Sequence, residues 1–490
     1  MTTLFFSSLP RVLVASLCIA NIDINAQAFN GMILYSPIVT ESTDFKTYLI
    51  DNQGNIINTW LHPRGVASMP YLQEDSTLIY PYRVENPSMN IGGVGGGLSK
   101  YSWDGELLWS YEIANETYQH HHDIEPLPNG NILVIVYEKK SAQEAFAVGR
   151  QTIENPLNQI WSEAILEIRP VGMSSASIVW EWHIWDHLVQ DVDPSLPNYG
   201  IISEHPELQD INYGSAGLGP PTTRPGGADG DWKHLNAIAY NEDLDQIAFS
   251  SRNHDEIYVI DHSTTTQEAS GHSGGNSGMG GDFLYRWGNP ESYGRGNNDN
   301  HVLKEPHGVN WIPSDYPGGG NLLIFNNNHT NLSAVIEIVP PINEDGTYHI
   351  AEDAAYGPFD LQWIHTGNFH TEMQGGAFRL PNGNTIITDC DDGYIFEVTN
   401  NHNVVWDHSS AGEQSFIARA QKYPYSYLGL DYVLRGDIDY DGRVNIIDAI
   451  MLLDMINGYG YAFNPPSDYD ASGYTDEDDF GLLIEFLIAN

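Results

Sequence analysis

The feature that most restricts this chain is a short strand unit that returns with the same punctuation from about residue 29 to residue 408. Two kinds of pair recur. One runs through an Asn-Gly turn, as in LPNGNILVIVYE (127–138) and LPNGNTIITDC (380–390). The other crosses a polar hairpin and ends on an aromatic or apolar position, as in YLIDNQGNIINTW (48–60), KYSWDGELLWSYE (100–112) and IFEVTNNHNVVWDH (395–408). Asn-Gly and Asp-Gly set tight hairpins, and alternating runs of Ile, Val, Tyr and Trp read as β-strand. Helical periodicity is nearly missing from this region. Antiparallel sheets repeated at such spacing protect their edges by closing into a ring. The expected fold is therefore all-β, a six-bladed β-propeller, with blades beginning near residues 33, 99, 165, 257, 334 and 394 and one of them closing on the start of the chain. Five and seven blades are the other counts the spacing allows.

Closure into a ring has a chemical consequence. His122, His234 and His307 stand at the same offset in three copies of the unit, HHDIEPLPNGNILVIVYE, HLNAIAYNEDLDQIAFSSR and HGVNWIPSDYPGGGNLLIFNN, each leading into a first strand. Equivalent positions of a ring lie at equivalent heights about one axis, so the three imidazoles are expected to converge. The second copy ends in SSRNH, which puts Arg252 at the far end of a hairpin that returns to the level of His234. Imidazoles with one guanidinium make a pocket for a compact oxyanion, and three histidines could also hold zinc. His120 and His121 are read as flanking residues that shape the entrance. His183, His187 and His205, in or beside an insertion, could line an acceptor side. The tryptophans of WSYE, WEWHIWDH and QWIH read as blade packing.

With 65 acidic residues against 20 basic, the formal charge of -45 repels nucleic acid and anionic membranes. An anionic substrate then needs a local island of positive charge. Residues 1–28 carry Arg11, the apolar run VLVASLCIA and Ala26 and Ala28 at minus-three and minus-one positions, the pattern of a secretory signal cleaved after Ala28. No segment is long enough for a membrane span, so the expectation is a secreted, extracellular or periplasmic protein. Cys390 would be the one mature thiol, buried and inert, although a thiol catalyst is the alternative. Two insertions, 186–232 and 266–300, are expected as loops at one end, the first as a lid over the channel.

From Arg435 the chain changes character. In DIDYDGRVNIID, Asp437, Asp439, Asp441, Arg443 (through its carbonyl), Asn445 and Asp448 take positions 1, 3, 5, 7, 9 and 12 of a calcium loop, with Gly442 at the turn. In DYDASGYTDEDD, Asp468, Asp470, Ser472, Tyr474, Asp476 and Asp479 take the same places, with Gly473 at the turn. Apolar helices IIDAIMLLDMI and DFGLLIEFLI follow. The expectation is a small α-helical domain at 435–490 with two EF-hand-like calcium loops binding two Ca2+, after a propeller at 29–430. Helices that start inside the loop, and Asp at position 12, make the tail resemble a dockerin, which implies a cohesin-bearing partner. It departs from cohesin-binding dockerins at Ile446, Ile447, Glu477 and Asp478, where small hydroxyl residues are frequent.

HHDIEPLPNGNIL, DWKHLNAIAYNEDLDQIAFSSR, the PHGVNW to LLIFNN segment and FRLPNGNTIITDC resemble the bacterial aryl-sulfate sulfotransferases over most of 30 to 430. The resemblance implies an exported propeller that moves a sulfuryl group from an aryl sulfate donor to a phenolic acceptor without a nucleotide. It implies that His307 is the histidine transiently sulfated, that His122, His234 and Arg252 hold the sulfuryl oxygens, and that catalysis needs no cofactor. The family's frequent N-terminal extension and cysteine pair are missing. The rival readings are a non-catalytic propeller binding glycans or sulfated polymers in an extracellular complex, and a metal-dependent hydrolase or lyase.

Overall fold

The computed structural model describes residues 28–39, 44–217, 228–410, 416–428, 436–439, 444–457, 467, 469 and 475–489. The expected signal segment lies almost wholly outside them. Six four-stranded antiparallel sheets form a propeller. The second to sixth blades start, at the axis, with Tyr71–Leu72, Tyr118–Pro126, Leu235–Asn241, Gly308–Trp311 and Gly376–Arg379. The first blade takes its inner strand from the other end of the chain: Phe416–Pro424 pairs with Gly31–Ile38, which continues into Phe45–Ile50 and Ile56–His62. Both ends of the propeller are thereby locked in one sheet, and no edge strand is left open at the seam.

A repeated indole holds the ring together. The outermost strand of every blade carries a tryptophan whose Nε1–H donates to the next blade. Trp60 reaches Ser102 O (2.9 Å), Trp109 Ser175 O (2.8 Å) and Trp180 Thr264 Oγ1 (3.2 Å). Trp287 reaches Pro358 O (2.9 Å), Trp363 Asn400 O (2.9 Å) and Trp406 Asn52 O (2.7 Å), the last returning to the first blade. Each indole buries a large apolar face and satisfies its polar edge. Behind them, apolar clusters fill the gaps between neighbouring blades, such as Ile165, Trp182, Ile238 and Phe249 between the third and fourth. The packing role expected for these tryptophans is thus met.

The expected blade starts need correction. Residues 99, 165, 257, 334 and 394 fall in third strands, Gly96–Tyr101, Gln159–Val171, Glu256–Asp261, Leu332–Ile338 and Tyr394–Val398. The outer pairs carry the loud hairpins and the ring-closing tryptophans, whereas the inner strands vary from two residues (Tyr71–Leu72) to nine (Tyr118–Pro126), so the repeat announces itself half a blade late.

The first insertion is, in its described part, a buttress. Leu188–Val189 pairs in parallel with Gln209–Asp210, and Leu188, Ile211, Ala216 and Trp232 join the core between the third and fourth blades. Arg150 Nη1 and Nη2 donate to Ile211 O and Gly214 O, tying the insertion to the third blade. Residues 218–227, where a lid would have to come from, lie outside the described residues. The second insertion also packs inward, through Ala269, Phe283 and Tyr293. Among the described residues no helix is long and apolar enough to cross a membrane.

In the tail, helices Ile446–Ile456 and Glu477–Ala489 share a small core of Ile438, Ala449, Leu452 and Leu483. Asn445 caps the first, accepting from Ile447 N (2.8 Å), while Asp448 Oδ2 accepts from Asn445 N (2.8 Å). The second copy repeats the device: Asp476 N donates to Asp479 Oδ2 (2.8 Å).

Candidate functional site at the propeller axis

His122 lies in an inner strand and His234 and His307 immediately precede theirs, and two of the three arrive in an uncommon conformation. His122 (φ 52°) and His234 (φ 56°) are left-handed, which in a non-glycine residue costs on the order of 1 kcal/mol and marks a backbone held in place by its surroundings. The strand Tyr118–Pro126 bulges between His120 and Ile124, so His121–Asp123 leave the ladder and face the axis. The neighbouring glycine stretch makes room for them. His122 N donates to Gly93 O (2.7 Å), and a Cβ on Gly93, itself at φ +73°, would sit 2.0 Å from the His122 ring. A Cβ on Gly95 would meet His120 Nδ1 at 2.5 Å.

The convergence expected from register is present. One ring nitrogen from each of His122, His234 and His307 lies within 4.8 Å of the others, and all three residues are buried. His122 and His234 meet edge to face with centroids 4.7 Å apart; His122 and His307 are 6.3 Å apart.

Their partners decide where the protons are. His307 Nδ1 lies 3.1 Å from Glu305 O and 3.1 Å from Asn327 Oδ1. Both are acceptors, so Nδ1 carries the hydrogen and Nε2 keeps its lone pair. Burial, then Arg252 and His234, hold the His307 ring well below the usual histidine range. Imidazole with a free Nε2 lone pair is the form a nucleophile requires. His234 Nδ1 donates to Asp231 Oδ2 (2.7 Å), with Tyr137 OH 3.1 Å away. Burial would raise the Asp231 carboxyl, but His234 and hydrogen bonds from His234, Asn253 and Tyr137 outweigh it and hold Asp231 below its ordinary value.

Arg252 closes the hairpin as expected, its N–H donating to His234 O (3.1 Å). Its guanidinium, however, pairs with Glu305 Oε1 (2.8 Å) and is partly exposed, so it stands at the rim of the cluster. A second arginine reaches the axis from the closing strand. Arg419 Nη1 is paired with the buried Asp123, and Nη2 donates to Asn236 O and to His307 O (2.9 Å). It lowers the His122 ring further, after burial and the neighbouring histidines. Each guanidinium beside the cluster is held by a carboxylate, and each keeps further N–H groups that an oxyanion could use.

Beyond the Asp123–Arg419 pair lies a cavity of about 750 Å³ walled by residues including Tyr71, Glu125, Tyr240, Trp311, Arg419 and Tyr423. The three histidines are not in its walls, which mix carboxylates such as Glu74, Asp75 and Glu242 with Lys100, Arg379 and Lys422.

Other expectations are overturned. His120 and His121 do not flank an entrance: both are fully buried. His120 Nδ1 accepts from Gly96 N (2.9 Å), and desolvation lowers its pKa to about 3. His121 bonds directly to His122, Nδ1 to Nδ1 at 2.9 Å. His187 lines no acceptor path; it is buried between Asp282 Oδ1 (2.7 Å) and Ala269 O (2.9 Å) as a brace for the second insertion. His183 pairs with Glu138 and His205 with Glu207. Cys390 is buried and its thiol is pushed up by burial, which suits the inert reading.

In the tail, Asp437, Asp439 and Asp448 are buried with one carboxylate oxygen each within 4.8 Å of the others. Asn445, Asp476 and Asp479 sit at the helix starts. Asp441, Arg443, Asp468, Asp470, Ser472 and Tyr474 lie outside the described residues.

A family model described as Arylsulfotransferase (ASST) matches residues 22–337, which include His122, His234, Arg252 and His307. No curated protein matches the chain. Solved structures that align with it include a protein of unknown function from Bacteroides caccae (11% identity, TM-score 0.41, 80% of this chain and 98% of that one). AztD from Citrobacter koseri aligns at 10% identity and TM-score 0.33 over 81% and 99% of the two chains. Virginiamycin B lyase from Staphylococcus aureus aligns at 12% identity and TM-score 0.32 over 82% and 86%. Such distant likenesses say nothing about activity.

Proposed function

Because this chain belongs to the arylsulfotransferase family and is an aryl-sulfate sulfotransferase, we propose that it works by a ping-pong mechanism through a sulfated His307. The observation that carries this reading is the pair of acceptors on His307 Nδ1, which leaves Nε2 unprotonated in a buried cluster. The sulfuryl oxygens of the donor are held by His234, oriented by its hydrogen bond to Asp231, and by Arg252. His307 Nε2 attacks sulfur in line as the ester oxygen leaves. Charge on the equatorial oxygens of a loose transition state is stabilised by cations already in place. His122 supplies a proton to the departing phenolate, whose acid has a pKa of about 10, and takes one from the incoming phenol. The acceptor oxygen then attacks sulfur and frees His307.

The tail belongs to the same proposal. Asp437, Asp439 and Asp448 would hold one Ca2+ together with Asp441, Asn445 and the Arg443 carbonyl; Asp468, Asp470, Ser472, the Tyr474 carbonyl, Asp476 and Asp479 would hold a second. Buried carboxylates this close repel unless a cation neutralises them, so the donor set fits calcium. Ile446, Ile450 and Leu453 are exposed at helical spacing on the first tail helix, which suits a dockerin docking on a cohesin. With a cleaved signal at 1–28, the enzyme is exported and tethered to an extracellular assembly.

The test is turnover of 4-nitrophenyl sulfate with and without phenol, with and without chelator. The reading expects nitrophenol release that depends on the acceptor and survives chelation. Release that needs metal would favour the hydrolase or lyase, and none at all a binding propeller.

A further inference from the structure

His121 and Glu163 have no part in the chemistry so far, yet they join the site in one unbroken line. Glu163 Oε2 lies 2.9 Å from His121 Nε2, and His121 Nδ1 lies 2.9 Å from His122 Nδ1. All three residues are buried. Tyr137 stacks on His121 at 3.6 Å with an interplanar angle of 5°, fixing the ring plane, and Glu163 Oε1 accepts from Leu235 N (3.0 Å), fixing the carboxyl.

Each contact in the line holds one hydrogen, so the tautomer of one ring dictates the next. Only two ordered arrangements exist. In the first, Glu163 is a neutral acid donating to His121 Nε2, His121 Nδ1–H donates to His122 Nδ1, and His122 Nε2 carries a hydrogen toward the site. In the second, Glu163 is a carboxylate, every hydrogen has moved one place along, and His122 Nε2 has a lone pair. The first arrangement is a general acid and the second a general base.

We propose that Glu163, His121 and His122 form a buried proton relay, with Glu163 storing the proton that His122 gives to the departing phenolate and recovers from the incoming phenol. This rests on the sulfated-histidine reading. The step balances: as the S–O bond of the ester breaks and the S–Nε2 bond to His307 forms, the phenolate oxygen takes the His122 proton. His122 takes one from His121, and His121 takes one from Glu163. The single negative charge of the ester ends on the Glu163 carboxylate, while the sulfated imidazole is neutral overall. The acceptor half-reaction runs the same transfers backward.

The surroundings favour the store. Burial, then the charge of Asp231, raises the Glu163 carboxyl well above its usual range against smaller pulls from Lys233 and backbone N–H groups. Burial lowers His121 and His122, so neither keeps a second proton. His121 and Glu163 act through His122 and touch no substrate.

The experiment measures adduct formation from phenyl sulfate, whose leaving group needs a proton, and from 4-nitrophenyl sulfate, whose anion leaves unaided. In wild type the relay predicts a solvent deuterium isotope effect on the first donor and little on the second. Glu163→Gln, which keeps shape but cannot cycle a proton, should lose about 100-fold on phenyl sulfate and keep near-normal rates, with His307 still sulfated, on 4-nitrophenyl sulfate. Equal loss on both donors, loss on neither, or a wild-type rate on phenyl sulfate insensitive to deuterium would overturn the relay. Should the variant fail to fold, the wild-type isotope effects decide alone. If wild type forms no adduct from either donor, the sulfated-histidine reading falls first.

Discussion

The axis of the propeller and the C-terminal tail both gather groups that repel or compete for protons, and they solve that problem differently. At the axis, residues from three blades are brought together by sheet topology, and each is locked by a protein partner: Asp231 on His234, Asn327 and Glu305 O on His307, His121 on His122. In the tail, Asp437, Asp439 and Asp448 come from twelve consecutive residues, and under the calcium proposal their mutual repulsion is relieved by an ion. The first site is a property of the whole fold, and the second, on the calcium proposal, of a short segment plus its ion. Preorganisation by packing suits chemistry, in which charge must move without the site rearranging; organisation by an ion suits a module that orders itself for docking.

That contrast can be broken in several ways, beginning with the largest effect. Asp231→Asn replaces an acceptor-only carboxylate by an amide that can also donate, so the Nδ1–H form of His234 is no longer selected while size is kept; the sulfuryl transfer rate should fall about 100-fold with the melting transition of the propeller nearly unmoved. A loss below a few-fold would show that His234 is not held by Asp231 in the working enzyme. Chelation should abolish the helical circular dichroism of an isolated 435–490 peptide and leave the transfer rate of the full chain unchanged. A chelation-sensitive rate would merge the two sites that are separated above. Acid should act on the axis. His120, His121, His122 and His307 are held below their ordinary values, first of all by burial, so below pH of about 6.5 the unfolded chain takes up protons that the folded chain refuses. Propeller stability should therefore fall as pH drops from about 6.5, by up to about 1.4 kcal/mol per pH unit for each such histidine, while adduct formation should pass through pH 6.5 without the break an ordinary nucleophilic histidine shows. Urea unfolding and rapid-quench rates across that range test both halves.

The same contrast explains what could be read in the sequence. The proposed calcium ligands lie in contiguous segments, so their spacing is visible as text. The ring was visible because each blade repeats its hairpin and the aromatic at the hairpin's end; six tryptophans turn out to hand the ring from blade to blade and back to Asn52. The three histidines were visible because they share a register. What supports them was not, since each support comes from a different strand: Glu163 from the third strand of the blade that carries His122, Asn327 from the strand after His307, and Arg419 from the strand that closes the ring. Asp231, three residues before His234, and the glycines at 92–97 carried a usable signal, a carboxylate beside a histidine and a run without side chains where rings must pass. Arg252 was placed correctly in height, but nothing in its surroundings along the chain announced Glu305 as its partner. His120 and His121 were misjudged because a bulge, which periodicity cannot show, turns the whole triplet inward.

The central claim is that His307 carries the sulfuryl group between donor and acceptor. Incubating the enzyme with 4-nitrophenyl sulfate in the absence of phenol, quenching in alkali and mapping the peptides by mass should show a gain of one sulfuryl group on His307, lost when phenol is added and missing from His307→Asn. A mass gain on another residue, or the same gain in the His307→Asn variant, would contradict it.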